Sequence, residues 1–127
     1  MVEANELERI QYKEQEALRR KQSAWMAYTS VNRRLDDAYY LMLFAWEDFE
    51  DARDDLRDGR DDEVRFELAR KRHKSAQEEF LYQRKERRRA RMEFEMAQTE
   101  HWQWRERIQQ RLAEGDDVCG MNVVVTN

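Results

Sequence analysis

Two histidines, one cysteine and a surplus of charged side chains are the residues of this chain with chemistry to offer. His73 and His101 lie 28 residues apart. On one helix that spacing is about 42 Å at 1.5 Å per residue, too far for the two to share a metal ion. Neither closes a Glu-x-x-His pair, because Arg70 and Gln98 stand three residues before them, and helical di-iron bundles build their centres from that pair. Structural packing is the reading for both. Cys119 has no histidine near it in sequence, and an inert thiol is the commoner case. The chain has neither a glycine-rich phosphate loop nor a cysteine cluster of zinc-ligand spacing. No catalytic, metal or cofactor-binding residue is assigned, no cofactor is expected, and an enzyme is not expected.

The charged residues are segregated. Around Gly59 the chain is acidic, with Glu47, Asp48, Glu50, Asp51, Asp54, Asp55 and Asp58 before the glycine and Asp61, Asp62 and Glu63 after it. Further on it turns basic, and Arg84, Lys85, Arg88, Arg89 and Arg91 fall close to Arg33 and Arg34 if the chain folds back on itself. Such a belt suits a phosphate backbone, so these seven residues are the candidates for nucleic-acid binding. A bland account uses the same charges for solvation, for i,i+4 pairs such as Glu16–Arg20 and Glu67–Lys71, or for staggered assembly of acidic tip against basic waist. The net charge of −4 argues against general polyanion binding.

The elements that carry these residues are legible from periodicity. Steps of three and four from Leu7 run through Ile10, Glu14, Ala17, Lys21, Ala24, Tyr28, Val31, Leu35, Ala38, Met42, Ala45, Phe49, Ala52 and Leu56, an apolar seam broken only at Glu14 and Lys21. A second seam runs from Phe66 through Ala69, His73, Ala76, Phe80, Gln83, Arg87, Ala90, Phe94, Ala97, His101, Trp104 and Ile108 to Arg111. In each, one heptad position favours alanine and the other favours large side chains. Pairing residues whose numbers sum to 118 sets Ala52 against Phe66, Phe49 against Ala69, Ala38 against Phe80, Ala24 against Phe94 and Ile10 against Ile108. Large then faces small at nearly every layer, which lets two helices interdigitate without voids. In the same register Gln83 faces Leu35 and Arg87 faces Val31, polar layers of the kind that fix register in coiled coils.

The expected fold is therefore all-α: a long antiparallel two-helix hairpin, coiled-coil-like, with an alanine-rich seam. The hairpin occupies residues 1–115, with helix one over about 3–57, a turn at 58–61 and helix two over about 62–114. Gly59 is free to take positive φ after the first helix, Asp61 is the expected N-cap of the second, and Gly115 is the expected stop. Residues 116–127 are expected to be a flexible tail, with Val123-Val124-Val125 a frayed end ahead of a docked strand. With 41% charged and 40% hydrophobic residues and no proline, the chain has the composition of extended helices. Four Trp, five Tyr and five Phe argue against disorder.

Two helices leave a remainder. Leu18, Trp25, Tyr39 and Trp46 form a second stripe one residue after the alanine positions, and Tyr40, Leu43 and Phe44 make the helix apolar nearly all round. A helix apolar on several sides is normally covered on several sides. These seven residues are the candidates for a partner or dimer surface, and pairing of two hairpins into a four-helix bundle is the expected use, ahead of docking a different helical protein. The run Ala38–Trp46 is far shorter than the roughly 20 residues that span a bilayer. A membrane-surface role is disfavoured by the acidic stretch that follows. The first residues carry no basic-then-apolar secretory pattern and the single cysteine has no internal partner, so a soluble intracellular protein of cytoplasm or nucleus is expected. A non-catalytic assembly or scaffold protein is the functional expectation, with a nucleic-acid-binding accessory protein as the alternative.

Overall fold

The computed structural model describes the backbone of residues 2–60 and 63–126 and the side chains of residues 5–60 and 63–115. It is all-helical: α1 spans Val2–Arg57 and α2 spans Glu63–Thr126, and the two long helices pack against each other. Their contacts divide into two units, one of Ala27–Arg91 and one of Met1–Met26 with Met92–Asn127.

The Ala27–Arg91 unit contains the turn. Gly59 has φ of 72°, the left-handed region that side chains with a Cβ resist. Around it the Gly59 amide donates to the Leu56 carbonyl at 3.1 Å and the Arg60 amide donates to the Asp55 carbonyl at 2.7 Å. These are the two bonds of a Schellman motif, which satisfies carbonyls that a helix end otherwise leaves unpaired. The apolar contact that usually accompanies this motif is replaced here by charge, with Arg60 Nε 3.8 Å from Asp55 Oδ1. The expected N-cap at Asp61, with its neighbour Asp62, lies outside the described residues.

From the turn the helices run antiparallel. Asp55 meets Arg65 at 3.0 Å, Phe49 meets Phe66 with ring centroids 5.5 Å apart, and Trp46 meets His73 at 5.0 Å. Farther out, Tyr39 meets Phe80 at 5.9 Å. In the unit of the chain ends, Trp25 meets Phe94 at 5.1 Å, Glu14 meets His101 at 2.7 Å and Glu6 meets Arg111 at 2.8 Å. Residue numbers in these pairs sum to between 115 and 119 except Asp55–Arg65, which sums to 120. With Arg20–Glu100 at 120 and Phe49–His73 at 122, the contacts of each unit scatter about the expected sum of 118.

Burial follows the seam. Every seam position from Leu7 to Leu56 is buried or half-buried. The most enclosed apolar residues are Ala17, Val31, Leu35, Ala38 and Ala52 of α1 and Ala69 and Ala90 of α2. Among the described residues no large side chain is fully enclosed. Geometry explains this: two helices alone meet along one line, so alanine fills the line and rings can only lean over its edges.

Three expectations need correction or comment. Arg87, placed by periodicity opposite Val31 in the seam, is exposed. Its long stem carries the guanidinium out to water, which spares an unpaired charge the cost of burial. Arg111 is exposed likewise and pairs with Glu6. Gly115, where the sequence reading ends the second helix, lies within α2, which continues to Thr126. One glycine costs only about 1 kcal/mol relative to alanine in a helix, and no proline follows to stop the chain. The side chains of residues 116–127, Cys119 among them, lie outside the described residues.

Candidate protein-contact surface

One step beyond the alanine positions, α1 presents Leu18, Trp25, Asn32, Tyr39 and Trp46 at heptad spacing. Three of these five lean across the seam onto rings of α2. In the Ala27–Arg91 unit Tyr39 rests on Phe80, and Trp46 rests on His73 and on Phe49 of its own helix. In the other unit Trp25 rests on Phe94. The three cross-helix partners share one offset, their numbers summing to 119, so the arrangement repeats with the heptad. Arg84 adds its guanidinium 5.9 Å from the Phe80 ring centroid, so one side of that ring faces a cation.

Leaning is not covering. Trp25 remains 52% exposed and Tyr39 44% exposed. Tyr40 and Phe44, turned away from α2 by the helical period, are 59% and 64% exposed. Leu43 and Trp46 are also exposed, and Leu18 is half-buried. Leu41, on the other flank of α1, adds to the same outward-facing cluster and borders a groove lined by Ala38, Ala45 and Ala76. From Tyr39 to Trp46 the outer side of α1 is thus a contiguous apolar surface, of a kind soluble monomers rarely leave in water.

The belt residues Arg33, Arg34, Arg84, Lys85, Arg88, Arg89 and Arg91 are all exposed and all lie in the Ala27–Arg91 unit. Among the described residues, Arg33, Arg34, Lys85 and Arg88 have no carboxylate within 4.0 Å. The acidic end of the hairpin behaves differently. Arg57 binds Asp54 at 2.6 Å, Arg60 binds Asp58 at 2.5 Å, and Arg65 reaches Asp55. The hydrogen bond and charge of Asp58, with Asp55 and Asp54 beside it, raise the Arg60 guanidinium above its ordinary pKa. Asp54, Asp55 and Asp58, the carboxylates nearest the turn, are therefore paired within the hairpin. The carboxylates left without a cation within 4.0 Å, among the described residues, include Glu47, Asp48, Glu50 and Asp51, next to the aromatic cluster.

A polar pair that periodicity alone did not connect lies in the unit of the chain ends. His101 is buried in the seam, and its Nε2 is 2.7 Å from Glu14 Oε1. Glu14 had been the first exception in the α1 seam, and His101 is the residue that answers it. Part of the signal was available, since both are polar residues of mostly apolar seams and their numbers fall near the common sum. His101 Nδ1 and Gln83 Oε1 are buried without a hydrogen-bond partner, while Gln83 Nε2 donates to Glu79 at 2.8 Å. His73 stacks on Phe49, with 15° between ring planes. Both histidines are engaged in packing.

Among the described residues no group of three or more His, Cys, Asp or Glu converges as a metal site. No described helix is long and apolar enough to cross a membrane. Comparison with protein-family models and with curated proteins finds no match for the chain.

Proposed function

We propose that this is a non-catalytic assembly protein, an antiparallel helical hairpin that joins other helices through the aromatic side of α1. The observation that carries the reading is the contiguous apolar surface from Tyr39 to Trp46, whose most exposed members, Leu41 and Phe44, are 62% and 64% open to water. Burying a large apolar side chain contributes roughly 1.5–3 kcal/mol, so several such residues supply a strong drive toward a partner. Pairing of two hairpins into a four-helix bundle uses this surface, as does docking onto a different helical protein. The single cysteine of the sequence is in keeping with a reducing, intracellular setting.

A photo-crosslinking amino acid in place of Tyr40 tests the reading in cells, with the same residue in place of the exposed Glu106 as control. Protein adducts are expected from position 40 and not from 106. Adducts absent from position 40, or equal at both, refute it.

The unpaired state of Arg33, Arg34, Lys85 and Arg88 favours a second reading, an accessory protein that binds nucleic acid along the belt. Gel retardation of duplex DNA and of RNA decides it. No shift at low ionic strength removes the reading, because contacts to phosphate strengthen as salt falls.

A further inference from the structure

The Ala27–Arg91 unit breaks its own pattern at one layer. There the stripe of α1 meets α2 at a constant sum of 119, which pairs Trp46 with His73 and Tyr39 with Phe80. One heptad on, the same offset sets Asn32 opposite Arg87, so a ring is missing from both helices. Asn32 is half-buried, and Arg87 is exposed although it occupies a seam position. Gln83, one turn before Arg87, is buried with its Oε1 unpartnered. Sequences that otherwise agree with their fold break such local rules chiefly at functional sites. We infer that this layer binds the phosphates of a single-stranded nucleic acid, with the neighbouring Tyr39 ring as the platform for a base. The inference rests on the nucleic-acid reading above and adds to it the site and the form of the strand.

Geometry and charge carry the argument. Arg84 holds its guanidinium 5.9 Å from the Phe80 ring centroid, and Tyr39 leans on the same ring. Arg87 and Arg88, three and four residues on, share the face of α2 from which Arg84 reaches that ring. All three arginines are exposed, and among the described residues none has a carboxylate within 4.0 Å. Glu86 is two residues from both Arg84 and Arg88 and does not face them. Arg33 and Arg34 are offset by Asp36 and Asp37, and Arg89 and Arg91 make contacts of their own, so these four are not counted. Three cations remain, crowded within about one helical turn.

Like charges one turn apart, as at Arg84 and Arg88, destabilise a helix on their own, and a phosphate held by both reverses that effect. Unpaired cations beside an open ring suit a single strand, with its phosphates on the cations and a base on the ring. A duplex keeps its base faces stacked inside and leaves Tyr39, 44% exposed, without a role.

Fluorescence anisotropy on the full-length chain tests this, with a labelled oligothymidylate of about ten nucleotides and a duplex of the same length. The single strand is expected to bind more tightly than the duplex. Its log K should fall against log salt with a slope of about −2, the value for three phosphates. Arg87→Gln is expected to lessen that slope by about 0.7, and Arg87→Lys to keep it. Tyr39→Leu is expected to weaken binding at least about fivefold at an unchanged slope, because a lost stack frees no counterion. Tyr39→Phe, which keeps a stacking face, should bind like the native chain, and circular dichroism checks that each variant keeps its helices. Tighter binding of the duplex, or a strand indifferent to Arg87→Gln or to Tyr39→Leu, overturns the inference and leaves the belt reading standing. No binding of either oligonucleotide at low ionic strength overturns both.

Discussion

Replacing Glu14 with leucine strands His101. In the native chain the two side chains are only 15% and 6% exposed and meet at 2.7 Å, while the second imidazole nitrogen already lacks a partner. Glu14→Leu removes the one hydrogen bond of a buried ring, at a cost of about 1–3 kcal/mol. His101→Leu leaves a poorly hydrated carboxylate without its partner, at a similar or larger cost. The double substitution removes both polar groups and turns the layer apolar like its neighbours, so its stability should lie within about 1 kcal/mol of the native protein. The coupling between the two sites is then about 2–3 kcal/mol, at the upper end of what contacting residues show. Urea unfolding of the four proteins, followed by circular dichroism, measures it through the midpoints at a common m value. Single-variant effects that add to within about 0.5 kcal/mol would falsify the claim that Glu14 and His101 act as a unit.

The turn and the seam give further predictions. Gly59→Ala should cost about 1–2 kcal/mol in urea unfolding from backbone strain alone, since an added Cβ meets nothing within 4 Å; an unchanged midpoint contradicts the positive φ. Ala52→Leu forces a larger side chain into a site with no exposure and should destabilise by about 1–3 kcal/mol. Ala27→Leu, at an exposed position, should stay within about 0.5 kcal/mol by the same measurement. Cysteines in place of Ala38 and Phe80, in a Cys119→Ser background, should form an intrachain disulfide on mild oxidation. Ala38 with Phe94 should not, because a 14-residue displacement along α2 is about 21 Å against a disulfide reach below 7 Å.

The seam was legible because a 3-4 alternation of apolar residues is the geometry of two helices written directly into sequence. The alternation of alanine and ring, as at Ala38 and Phe80 or Ala52 and Phe66, points to a register as well, although rings of successive layers, such as Phe49 and Phe66, still touch. The aromatic stripe at Trp25, Tyr39 and Trp46 was legible for the same reason. Polar behaviour was less so. Periodicity put Arg87 in the seam, but a long side chain chooses between core and water by its own reach. The stretch around Gly59 reads as acidic in spite of Arg53, Arg57 and Arg60, and sequence does not say which carboxylate each cation takes: Arg57 takes Asp54 at helical i,i+3 spacing, whereas Arg60 takes Asp58 and Arg65 takes Asp55 by rotamer. The passage of α2 through Gly115 was missed because a glycine permits a stop without imposing one.

The Schellman turn at Gly59 has a kinetic meaning. The contact nearest it, between Asp55 and Arg65, closes a loop of 10 residues, whereas Glu14 and His101 are 87 residues apart. Closing the longer loop first would cost about 2 kcal/mol more in chain entropy than closing the shorter. If the helices instead join from the turn outward, each new layer closes only a few residues beyond the last, and that difference is never met in one step. The chain should fold like a zipper with one fixed end. Pulse-labelled hydrogen exchange is expected to protect the amides near Phe49 and Phe66 before those near Glu14 and His101. Simultaneous protection would show that the two helices meet along their length in a single event.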